Sequence, residues 1–270
     1  MPLSAPSADD GARLDSLGRA RVALGAIFLL RTTPLLGALH IPFLFDSAPL
    51  LGWPDGRFHF APLVGPLPDL VIRTLCIVRT VAAVAFMLGV AARPAGLVAG
   101  SLGLLTVTQV PGRLNTTEQV LFLGTMLLAL TDAVNRCALR PGAIRSARSS
   151  VWLMRSWIAS IYLWAGLAKL RADWLDGSAL ALFRDEGRFA PWIADLLLST
   201  PARRLLVGSA VAGSELALAA LLTIPRTRRA GLFAALALHA GFEAAASPDL
   251  FGWVMAALLL CFWDPSRARR

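Results

Sequence analysis

The sequence predicts an all-α fold, a polytopic membrane bundle of about eight transmembrane helices forming one domain over residues 1–270. Three observations carry that reading. Apolar residues make up 56% of the chain and charged residues only 16%, against about a quarter in soluble domains. The apolar residues come in blocks of about sixteen or more, near the length a crossing needs. The short segments between the blocks hold nearly all the arginine, aspartate, proline and glycine.

Taken in order, the blocks place spans at roughly 17–37, 70–92, 94–111, 117–133, 151–170, 205–224, 229–246 and 248–263. Pro94, Pro141, Pro225 and Pro248 fall between spans, where a missing N–H is tolerated. The stretch Met1 to Ser16 is polar, with Asp9, Asp10 and Asp15, unlike a cleaved signal peptide; the first apolar block is expected to remain as a helix.

A net charge of +9 would point to nucleic acid in a soluble protein. Here the arginines sort by connection instead, and no nucleic-acid partner is expected. Arg13, Arg19 and Arg21 precede the first span, Arg93 follows the second, and Arg136, Arg140, Arg145, Arg148 and Arg155 lie between the fourth and fifth. Arg226, Arg228 and Arg229 follow the sixth, and Arg267, Arg269 and Arg270 close the chain. Since positive connections stay cytoplasmic, both termini are expected inside the cell (inner) membrane. His40 to Pro68, Gly112 to Thr116, Arg171 to Arg204 and the turn at Ser247 and Pro248 are expected outside. Cys76, Cys137 and Cys261 lack metal-ligand spacing, so neither a metal nor a disulfide framework is predicted.

Ionisable residues inside spans are costly and serve as hypotheses of function. Arg31, Arg79, Glu215, His239 and Glu243 fall within predicted spans, and Lys169 closes the fifth. Their depths converge on a pocket opening outward. His239 and Glu243, four apart, share a helical face, so the carboxylate could orient the imidazole or make a satisfied interhelical pair. Arg79 and Glu215 are expected to neutralise each other, an ion pair that is structural before it is catalytic. Lys169 is the sole lysine among 26 Lys and Arg residues. An arginine-biased chain that keeps one lysine points to a task a guanidinium cannot perform, which is losing a proton; the bland alternative is a lysine snorkelling to the headgroups. Tyr162, the only tyrosine, lies two turns back on nearly the same face. A base also requires a neutral amine, so Lys169 is expected to be shielded by Tyr162, Trp164 or Trp174 and free of a tight pair with Asp173.

The run from Ile161 to Leu180, I-Y-L-W-A-G-L-A-K-L-R-A-D-W-L-D-G-S-A-L, resembles the central motif of vitamin K-dependent gamma-carboxylase and its bacterial relatives, the horizontally transferred transmembrane domain family. Arg228 to His239 with Leu250 to Ala256 resembles that family's later helices, and Leu17 to Gly25 its first. The resemblance implies chemistry at a reduced, vitamin K-like quinone. There the motif lysine, matched by Lys169, deprotonates the quinol, oxygen adds, and the resulting base removes a glutamyl γ-proton before carbon dioxide adds. The resemblance matches Lys169 and His239, and with Glu243, four residues on from His239, these are the catalytic candidates. Tyr162, Trp174, Asp173, Asp176, Asn115, Glu215 and Arg79 are candidates for substrate binding. The chain departs from the carboxylase in three places: Ala168 replaces a second lysine, Asn115-Thr116-Thr117-Glu118 lacks a histidine, and the sequence given stops at Arg270 where the carboxylase continues into a lumenal domain. The expectation is therefore a bacterial relative without that domain, embedded in the membrane and acting on a lipid-soluble small molecule. Two other readings stay open, a non-catalytic partner in maturation, export or immunity of a secreted peptide or partner membrane protein, and a proton-coupled transporter.

Overall fold

A computed structural model describes residues 8–32, 67–109, 116–140, 147–245 and 250–263. These form eleven α-helices and two short 3-10 turns, with no extended strand among the described residues. In chain order they are α1 (Ala8–Thr32), α2 (Asp69–Leu88), α3 (Ala92–Thr108), α4 (Thr116–Leu130), α5 (Ala147–Ala168), α6 (Ala172–Leu175), α7 (Ser178–Asp185), α8 (Pro191–Leu197), α9 (Pro201–Thr223), α10 (Arg228–Ala245) and α11 (Phe251–Leu259). Each of the eight apolar blocks carries one of the longer helices. Three short helices that the apolar pattern does not predict, α6, α7 and α8, break up the segment expected to connect the fifth and sixth spans, and α1 starts as early as Ala8. Leu70–Leu88 and Pro201–Thr223 are long and apolar enough to cross a membrane by length and composition.

The chain divides into two compact units, one within residues 1–151 and one within 152–264. In the first, α3 presents a buried stripe of small residues, Ala92, Ala95, Gly96, Ala99, Gly100 and Gly103. Small side chains let helix backbones approach closely where no water drives them together. A Cβ at Gly96 would meet Phe86 at 2.5 Å, one at Gly100 Met126 at 2.4 Å and one at Gly103 Phe122 at 2.5 Å, so α3 is wedged between α2 and α4. Phe122 in turn packs on Phe28 of α1, ring centroids 5.3 Å apart.

Arg21 is the polar anchor of this unit. The sequence reading places it ahead of the first span, whereas it lies inside α1 and is fully buried. Its guanidinium donates to the carbonyls of Phe86, Met87 (2.8 Å), Arg136 (3.1 Å) and Cys137 (2.9 Å). The first two lie in the last turn of α2, at the negative pole of its dipole; Phe86 also accepts from Gly89 N at 3.1 Å. α2 stops there because Gly89 takes φ +76°, a left-handed turn open to glycine, and any Cβ would strike Ala138. Asp15 completes the anchor by accepting from Arg136 Nε at 2.7 Å.

In the second unit α9 starts with Thr200, whose hydroxyl accepts from Arg203 N, and with Pro201 in the first turn. Gly166 lets α5 approach α9 at Leu216, where a Cβ would sit 2.7 Å from the leucine side chain. Gly231 does the same for α10 at Leu221. Arg155 of α5 donates to the Cys261 carbonyl at 2.8 Å and lies over the Phe262 ring, tying α5 to the end of α11.

Arg21→Met fills similar volume but leaves buried carbonyls without donors. It is expected to lower stability by roughly 3 kcal/mol, read as a fall in the unfolding midpoint of the detergent-solubilised protein; an unchanged midpoint refutes the anchor.

Candidate functional site

The polar side chains of the second unit join α5, α9 and α10. Lys169, one residue beyond α5, donates from Nζ to both carboxylate oxygens of Glu215, at 2.9 Å and 2.7 Å, and to the Ala165 carbonyl at 3.3 Å. The two side chains are 18% and 8% exposed. Trp174 of α6 covers the ammonium, its ring centroid 5.2 Å from Nζ. Trp164 stays 68% exposed and shields nothing here.

One helical turn deeper than Lys169 would be residue 165, and one more reaches Tyr162. Its hydroxyl is buried and lies 2.8 Å from His239 Nε2. The rings of Phe242 and Phe251 sit edge-on to the imidazole, at 6.2 Å and 5.5 Å between centroids. His239 is only 5% exposed, and its Nδ1 has no hydrogen-bond partner. Tyr162 and Lys169 are seven residues apart, two turns along nearly one face of α5 and its end, so the Lys169–Glu215 and Tyr162–His239 pairs follow one side of that helix.

Two expected pairings are replaced by others. Glu215 pairs with Lys169, while Arg79 gives one donor to Thr106 Oγ1 (2.6 Å) and one to the Thr32 carbonyl (2.9 Å). Glu243 shares the helical face of His239 yet does not hydrogen-bond to it; its carboxylate accepts from Gly252 N at 2.8 Å. α11 begins there without a side-chain cap from its own N-cap residue, Leu250, so Glu243 satisfies an amide that the helix start would leave unpaired. Gly252 permits the approach, since a Cβ would meet the Glu243 side chain at 2.7 Å.

Asp173 does stand apart from Lys169, within 3.4 Å of Arg171 instead. Asp176 accepts from Ser178 N at 2.8 Å at the start of α7, and this bond, with help from the Ser178 hydroxyl, holds its carboxyl below the usual carboxylate range. It thus organises the turn rather than facing the cluster. Asn115 lies outside the described residues. The pairing of Arg31 with Glu118, with Nε and Nη2 donating to Oε1 at 2.9 Å and 2.7 Å, was not anticipated. The signal was there: opposite charges near matching ends of the first and fourth apolar blocks. No group of three or more His, Cys, Asp or Glu poised for a metal occurs among the described residues.

The HTTM domain profile matches residues 12–266, nearly the whole chain. The chain belongs to the HTTM domain family, the transmembrane domain family of vitamin K-dependent gamma-carboxylase. No curated protein and no solved structure gives a significant match. An HTTM domain is a membrane protein of the gamma-carboxylase-related family, which accounts for the apolar helices.

Breaking a buried ion pair from one side strands the other charge, at a cost of about 3–5 kcal/mol. Lys169→Met and Glu215→Leu are each expected to lower the unfolding midpoint, and the double variant is expected to recover most of the loss, with a coupling of more than about 1 kcal/mol. Additive losses would show that the pair contributes no coupling.

Proposed function

We propose that this HTTM domain is a multi-pass protein of eight spans with both termini cytoplasmic, binding a lipid-soluble molecule at the Lys169 cluster and moving a proton there. Eight apolar blocks that each carry a helix, with basic residues in every second connection, support the topology. On it, the segment from Arg171 to Arg204 faces outward. A single cysteine introduced by Ser178→Cys is expected to react with an impermeant maleimide in intact cells; reaction only after permeabilisation refutes the orientation.

The observation that carries the functional reading is the buried Lys169–Glu215 pair, with a Tyr162–His239 pair two turns along the same helix whose imidazole Nδ1 is unspent. Both lie among aromatic and aliphatic side chains. That donor and acceptor set suits a small head group bearing hydroxyls, carried on an apolar tail, and a reduced quinone of vitamin K type is such a molecule. Bound there, it would supply the redox chemistry: quinol and oxygen give the quinone epoxide and one water.

The protein's part is the proton. As ammonium and carboxylate the pair has no net charge, and it takes up one proton whichever partner receives it. If Nζ first passes a proton to Glu215, the free amine accepts the incoming one; the end state is ammonium beside carboxylic acid. The resulting positive charge offsets the negative charge left on the donor in a poorly solvating site. Tyr162 and His239 orient a second oxygen, with His239 Nδ1 as its hydrogen-bonding atom.

The ion pair also favours a second reading, a non-catalytic partner of a secreted peptide, because a lysine neutralised by glutamate can serve packing alone. Substitution separates them. Purified protein supplied with reduced vitamin K and oxygen is expected to form epoxide, detected by mass spectrometry. Lys169→Arg, which keeps the charge and the pair, is expected to abolish the product while leaving the fold intact. Epoxide formation undiminished in Lys169→Arg, or quinol recovered unchanged from the unaltered protein, gives the helper reading its place.

A further inference from the structure

In the first unit, we propose that Arg79 is the anchor of a second binding site, one that takes a monocarboxylate. α2 leaves Val71, Ile77, Val78 and Val81 exposed while Arg79 turns inward and is only 8% exposed. The position is midway along α2, which is long and apolar enough to span a bilayer. An intramembrane guanidinium is ordinarily met by a carboxylate or by several backbone carbonyls. Here the polar contacts among the described residues are a hydroxyl and one carbonyl, both uncharged. The Thr106 hydroxyl donates its own proton to the Leu102 carbonyl, at 2.7 Å, and so faces Arg79 as an acceptor.

A guanidinium carries five N–H groups, and Arg79 has committed two of its donors. Nε is buried with no hydrogen-bond partner, and Nη2 retains a second hydrogen beyond the one given to Thr32. Arg21 in the same unit also leaves Nε without a partner, but its two terminal nitrogens reach four carbonyls, where those of Arg79 reach one hydroxyl and one carbonyl. Nε–H and the neighbouring Nη–H form a parallel fork that two oxygens of one planar carboxylate fill, as a spherical ion cannot. One unmatched positive charge fits a monoanion. Thr32 and Thr106 hold the guanidinium plane fixed, so the fork is set before the anion arrives.

The test uses the full-length protein in zwitterionic nanodiscs and isotope-labelled acetate at constant ionic strength. Saturable binding is expected, displaced by propionate and not by chloride. Arg79→Lys, which keeps the charge but loses the fork, is expected to weaken it by about tenfold or more, and Arg79→Gln to abolish it. Should Arg79→Gln fail to fold, Thr106→Val carries the test: freed of one tether, the guanidinium is expected to bind acetate several-fold more weakly. Equal displacement by chloride, binding unchanged in Arg79→Lys or Thr106→Val, or no saturable acetate binding overturns the site. Epoxide formation at Lys169 is a separate readout in a separate unit, so the two readings fail independently.

Discussion

A charge inside an apolar helix has to be matched where it sits, because neither lipid nor a neighbouring leucine can solvate it. In each unit that constraint selects which helices hold on to one another. Glu215 draws the end of α5 to α9, and Arg31 with Glu118 draws α1 to α4. Arg21 ties α1 to the end of α2 by donating to carbonyls of its last turn. Apolar packing alone is weakly specific in such a chain, since Leu and Val are equally content against lipid. The small-residue stripe of α3 supplies shape, and the buried polar groups supply register.

The same constraint explains what could be read from the sequence. Block length and hydropathy are local properties, so each of the eight longer helices falls on an apolar block, all but α1 within about four residues of the expected start. The three short helices between Arg171 and Arg204 do not, because each is set by a local turn: Gly177 before α7, Pro191 in α8, the Asp176 bond to Ser178. Ionisable groups within apolar blocks are equally local, which points to Lys169, Glu215 and His239, and the seven-residue spacing from Lys169 adds Tyr162. Pairing is not local. A one-dimensional pattern gives a residue's height and, through the 3.6-residue period, its face, but not the rotation of one helix against the next. Arg79 and Glu215 matched in sign and depth and still found other partners. Glu243 had the right spacing for His239 and turned instead to the unpaired amide of Gly252, whose position depends on the turn into α11.

Lys169 raises the sharper question of why the chain keeps one lysine. Its contacts do not require it. A guanidinium would reach a carboxylate in two places at once and would stack on Trp174 at least as well. Measured by pairing and covering alone, arginine is the better residue, and this chain uses arginine at every other basic position. The difference between the two side chains that remains is that an amine can give up its proton to Glu215 and take another, whereas a guanidinium cannot. Burial of the pair makes that transfer cheaper still, because the neutral amine beside a carboxylic acid needs far less solvation than two ions. The proton-moving reading therefore rests on what the contacts leave unexplained: every interaction seen at Lys169 would tolerate arginine, and the residue is lysine.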